Sequence, residues 1–198
     1  MHIIAANPRI TSRVAAHVAF AEAAVRGEVE SLDVNTIASI PCCSQDRTWA
    51  IRFKANGTVM IVLGMRDHAR GRHSAYFASV VAARLGVPFH KTYVYYSETL
   101  PAVLHSPTMS SKVFGGKHME PLAGAVVAIL DRLCSQAIEK AGRTFARMIG
   151  AERADIMFDR RTGRFLSNGS NRSILEIANA ARRAYAAPTI TGKILETA

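Results

Sequence analysis

The apolar positions of this chain change period several times, and each change marks an element. Trp49, Ile51 and Phe53 alternate with Ala50, Arg52 and Lys54, which predicts a half-buried strand over 48–54. Asn56-Gly57 makes a tight turn, and Thr58 to Leu63 follows as a continuous apolar run, the pattern of a buried strand. Upstream, Leu32 to Ile40 reads as a further strand, joined to the next by a turn over Pro41 to Arg47. A polar stretch from Gly64 to His73 then interrupts the strands. From Ser74 the spacing becomes helical, with Phe77, Val80, Val81 and Leu85 on one face until Gly86 and Pro88 stop it. Thr92 to Tyr96 returns as a strand. A strand, a crossover helix and a second strand in one sheet run parallel. The connecting loop lies at the carboxyl end of the first strand, where ligands commonly bind.

The flanking segments are mostly helical. Ser12 can cap a helix in which Val14, Val18, Ala21 and Val25 recur until Gly27. Between Met119 and Ile149, Leu122, Val126, Ile129, Leu133, Ala137, Ala141, Phe145 and Met148 form a stripe that must face a core, with a break expected at Gly142. Asp155 to Phe158 and Arg164 to Leu166 form a hairpin around Arg160 to Gly163. Ser173 and Glu176 then make a capping box for a last helix bearing Ile174, Ile177, Ala178 and Ala181. The predicted class is α+β: a mixed sheet with hairpins and a strand-helix-strand crossover, with helices packed on the sheet. One domain over 1–198 is expected, divided into a helix at 12–27, a strand-rich core at 31–99, and helices with a hairpin at 117–198.

Composition narrows the partners. With 49% hydrophobic and 20% charged residues the balance is that of a globular chain. No apolar run reaches membrane-spanning length and the opening residues do not form a secretory signal, so a soluble, cytoplasmic protein is expected, with no membrane partner. Cys42, Cys43 and Cys134 make no disulfide framework, and the two adjacent thiols alone do not supply a tetrahedral metal site. The net charge of +10 raises nucleic acid as a partner, but most basic residues are scattered. The one dense cluster, Arg66, Arg70, Arg72 and His73, lies on the polar loop before the crossover helix.

Gly57-Thr58-Val59, Gly64, Asp67, Gly71, Ser74, Val80-Val81-Ala82, Leu85-Gly86-Val87-Pro88 and Glu98-Thr99 share one order and spacing with a known pattern. They resemble the second molybdopterin-binding region of molybdenum hydroxylase large subunits, the family of xanthine dehydrogenase, aldehyde oxidase and aerobic carbon monoxide dehydrogenase. The resemblance covers the chain from about Ser12 onward. The family's loop reads roughly Gly-x-x-Asp-x-Gly-Gln-Gly-x-x-Thr. Here Ala69 stands at its first later glycine, Arg70 at the glutamine and Ser74 at the threonine. A second family stretch, Gly-x-Gly-Thr-x-Gly-Ser-Arg, corresponds to His105 to Lys112; Thr108 and Ser111 match, Lys112 keeps the charge, and the glycines are replaced.

The resemblance implies that Gly64, Asp67, Arg70, Gly71, Arg72, His73, Ser74, Ser111 and Lys112 approach molybdopterin, with or without a nucleotide extension and carrying molybdenum, in an assembled complex. Glycine permits close backbone approach, and the following helix start offers amide donors to a phosphate. The family's catalytic glutamate, in a Gly-Glu motif, has no counterpart here, so no catalytic residue and no metal ligand is assigned. The implied function is that of a partial molybdopterin-binding component of a hydroxylase, whose partners are other subunits or the missing halves of the enzyme. The alternatives are an inactive stand-alone homologue or binding module and, more distantly, a basic nucleic-acid-binding protein. Homo-oligomerisation is left open.

Overall fold

The computed structural model describes residues 15–16, 18–23, 26, 29–40, 43–66, 73–98, 119–167 and 169–186. Four strands, β1 (Val34–Ile40), β2 (Cys43–Phe53), β3 (Val59–Arg66) and β4 (Thr92–Glu98), form one sheet in sequential order. β1, β2 and β3 pair antiparallel, whereas β3 and β4 pair parallel through the crossover helix α1 (Ser74–Leu85). The hairpin between β2 and β3 turns as its residues dictate: the amide of Lys54 donates to Thr58 O at 2.8 Å, and Gly57 takes a left-handed φ of 75°. The Asn56 side chain accepts from the Thr58 amide and hydroxyl and fixes the corner.

Helix α1 buries Phe77, Ala78, Val81, Ala82 and Leu85, while Val80 is only half-buried. It ends where expected, with Gly86 left-handed and the Val87 amide returning to Ala82 O. The long helix α2 (Met119–Ile149) lies against α1, β1 and β2, and it buries Val126, Ile129, Leu130, Leu133, Ala137, Ala141 and Phe145. Cys134 sits in the same stripe. Burial, reinforced by the nearby Asp131 carboxylate, pushes its thiol pKa up to about 12. A second sheet, β5 (Met157–Asp159), β6 (Arg164–Ser167) and β7 (Ser170–Ser173), leads into α3 (Ile174–Ala186). One cluster of buried residues joins both sheets, with Trp49, Phe145 and Phe165 its largest members. Each such ring contributes about 1.5–3 kcal/mol by leaving water.

Several boundaries differ from the sequence reading. β2 starts at Cys43, not Thr48: the residues read as a turn pair with β1, Ile40 facing Cys43 and Ala38 facing Arg47 across a bulge. β3 continues through Gly64, Met65 and Arg66, which the hydropathy pattern assigned to the loop. Gly64 is buried there because β2 crosses close to it; a Cβ would come within 2.6 Å of Arg47 Cβ and 2.9 Å of Trp49 Nε1. Gly142 does not break α2 either. The Arg153 guanidinium lies over it, donating to Glu139 at 2.8 Å and to Ile156 O at 3.1 Å, and a Cβ would meet Arg153 Nε at 2.6 Å. Residues 15–16 and 18–23 are helical, as expected; the remainder of the 12–27 segment is described only at Arg26.

Candidate functional site

β3 and β4 are parallel neighbours, so their carboxyl ends lie side by side, with Arg66 opposite Glu98 in the register. Ser97 Oγ donates to Leu63 O at 3.1 Å across these ends. The start of α1 is tied to the same place, because Ser74 Oγ and the Tyr96 hydroxyl are 3.1 Å apart. Two strand ends and one helix start therefore meet at one corner.

That helix start carries no acidic residue of its own. The residue before it, His73, makes no side-chain cap, and the first turn of α1 holds no acidic residue. The Phe77 amide donates to His73 O at 3.0 Å, which opens the intrahelical ladder. The amides before such a point have no intrahelical acceptor, and they carry the positive end of the helix dipole. An anionic group is the complementary ligand.

Of the residues singled out from sequence, the fold brings His73 and Ser74 to this corner, beside the end of β3 that carries Gly64. Gly64 itself packs against β2, as described above. Asp67, Arg70, Gly71, Arg72, Ser111 and Lys112 lie outside the described residues, as do Cys42, Thr99 and the stretch at 105–112. Among the described residues, no three His, Cys, Asp or Glu side chains gather as a metal site. Tyr96 escaped the sequence reading. Its signal was parity: in β4, Thr92, Val94 and Tyr96 turn to the helix side while Tyr93 and Tyr95 are exposed, so Tyr96 is the tyrosine facing α1.

Residues 34–196 match the model of a family described as the molybdopterin cofactor-binding domain. The fold is similar to that of Cu,Mo-CO dehydrogenase in its carbon monoxide reduced state and of reconstituted CO dehydrogenase from Oligotropha carboxidovorans. Each is 22% identical with a TM-score of 0.50, and the similarity covers 86% of this chain and 22% of that chain. This chain thus spans less than a quarter of the length of the solved chains it matches. No curated protein matches it.

Proposed function

This chain belongs to the molybdopterin cofactor-binding domain family, and from that premise we propose that it forms part of the cofactor cradle of a molybdenum hydroxylase, active only when joined to complementary chains. The observation that carries the reading is the uncapped start of α1 beside the carboxyl ends of β3 and β4. Amide donors, the Ser74 hydroxyl and the absence of any carboxylate in the first turn of α1 suit the phosphate of a pterin cofactor. When bound, the cofactor supplies a redox-active molybdenum centre.

The chain's own part in this reading is to bind and orient. His73 and Ser74 present backbone N–H groups, Gly71 leaves room for close approach, and Arg70, Arg72 and Lys112 neutralise anionic charge. Ser111 adds a hydroxyl donor and Asp67 fixes the loop. Gly64 contributes by letting β3 and β2 pack closely, which sets where the loop leaves the strand. A catalytic base and the opposite wall of the cofactor pocket come from the partner chains, since one open corner gives a pterin too little enclosure. A nucleotide extension of the cofactor and a cytoplasmic location belong to the same proposal. No helix among the described residues is long and apolar enough to cross a membrane.

The test is co-expression with the reading frames that flank this one, followed by metal and pterin analysis of the purified complex, with and without Gly71→Leu. Molybdenum and pterin near one per chain in the wild-type complex, and their loss in Gly71→Leu, is the expected result. A complex with equal cofactor in both, or an isolated chain that holds stoichiometric molybdenum by itself, contradicts the proposal.

A further inference from the structure

The three-stranded sheet borders a space that the cofactor reading does not use. In β6 and β7 the register sets Phe165 opposite Arg172 and Ser167 opposite Ser170, so these four side chains share one face. Phe165 is fully buried there, with its ring centroid 6.2 Å from that of Phe145, so the face turns toward the end of α2. Between them lies a cavity of about 420 Å³, walled by Phe145, Met148 and Ile149 on the helix and by Arg164, Ser170 and Arg172 on the sheet. That volume is in the range of small-molecule sites.

The polar side of the cavity is positive. Arg164 Nε donates to Asn171 Oδ1, and both residues line the space. The nearest carboxylate to Arg164, Glu176, is 3.8 Å from its guanidinium, too far for a hydrogen bond, and accepts instead from the Ser173 amide and hydroxyl at 2.7 and 3.0 Å. Among the described residues the Arg172 side chain forms no salt bridge, and no carboxylate lines the cavity. Ser167 Oγ, buried on the same face beside Ser170, has no hydrogen-bond partner in the chain.

We propose that this cavity is a binding site for a small organic carboxylate with an apolar body, its carboxylate paired by Arg172 in the positive field of Arg164 and its body against Met148 and Ile149. The two walls select this class together. A guanidinium fork pairs a carboxylate through two parallel hydrogen bonds. A purely inorganic anion would leave the apolar wall uncovered, and a neutral ring would leave the arginines unpaired. The site is independent of the cofactor-cradle reading, because the start of α1 lies on the four-stranded sheet and this cavity on the three-stranded one.

The experiment titrates the full chain, labelled with nitrogen-15, with phenylacetate, acetate and phenylacetamide in turn, in wild type, Arg172→Met and Arg172→Lys. Phenylacetate should shift the amides of Gly169, Ser170 and Arg172 saturably, with a Kd of about 1 mM or tighter. Acetate, which lacks the ring, and phenylacetamide, which lacks the charge, should each bind about tenfold more weakly or worse. Arg172→Met should weaken phenylacetate by about tenfold or more, and Arg172→Lys by less. Position 172 is exposed, so the thermal midpoint of the unliganded variants should stay within about 2 °C of wild type. Ser170→Leu, which fills the space and leaves the charges in place, should also abolish binding and guards against a destabilised Arg172→Met. No saturable shift at these residues in wild type, phenylacetamide binding as tightly as phenylacetate, or undiminished affinity in Arg172→Met or Ser170→Leu overturns the site and leaves the cofactor-cradle reading standing.

Discussion

Two helix starts in this molecule meet the same physical need in opposite ways. At α3 the chain satisfies its own amides: the Glu176 amide donates to Ser173 Oγ at 3.2 Å, and the Ser173 amide donates to Glu176 Oε2 at 2.7 Å. The turn between β5 and β6 is closed likewise, with Asp159 accepting from the Arg161 amide at 2.9 Å and the Thr162 hydroxyl at 2.6 Å. At α1 the residue at the cap position, His73, makes no side-chain cap and the first turn holds no acidic residue, although the helix is of similar length. A helix end that closes itself serves stability. In the proposed function, the start of α1 beside two parallel strand ends offers its donors to the cofactor.

The largest effect should come where the two regions touch. Gly86, left-handed at the end of α1, packs against the backbone of Gly163, itself left-handed in the turn between β5 and β6. Gly86→Ala combines backbone strain with overlap against main chain, and should destabilise by about 3 kcal/mol or more, read by denaturant unfolding. A change of under half that size would mean that the two regions are not rigidly joined there.

A smaller loss should follow from opening the closed start. Ser173→Ala removes the cap of α3 and should cost about 1 kcal/mol. Glu176 makes the same region pH-dependent. The Ser173 backbone N–H, chiefly, holds the carboxyl below the ordinary glutamate value, with Arg164 and Arg172 adding to the effect. A depressed carboxylate contributes fully above its unfolded pKa and loses that contribution as pH falls through the folded one. Glu176→Gln should therefore flatten the acid limb of stability below that unfolded value and change its slope little near neutrality.

The smallest stability effect has the opposite sign. His73→Asp places a negative charge at the open start of α1 and should stabilise the isolated chain by about 0.5 kcal/mol through the helix dipole. If the α1 terminus were already satisfied, this gain would be absent.

Much of this contrast was legible in the residues. Asn56-Gly57 and the change of period at Ser74 set the β2–β3 hairpin and the crossover, and Ser173 with Glu176 announced the capping box, because each is local chemistry between near neighbours. What escaped depends on distant contacts. Gly64 reads as a loop glycine until Arg47 and Trp49 are seen against it. Gly142 reads as a breaker until Arg153 covers it. β7 is all polar, Ser-Asn-Arg-Ser, and pairs only because β6 lies beside it. At the candidate site the sequence set the start of the crossover helix at Ser74, where the structure has it. It did not reveal the Ser74–Tyr96 contact, which joins residues 22 positions apart.

The most direct test of the open-terminus account is the cofactor content of the assembled complex with His73→Asp in place of wild type, at equal recovery of complex. The added carboxylate should repel an anionic group at the start of α1 by about 1 kcal/mol, lowering cofactor affinity about fivefold. Molybdenum and pterin content under limiting cofactor should fall accordingly, while the isolated variant is slightly more stable. Cofactor content equal to wild type in a stabilised His73→Asp chain would contradict the account.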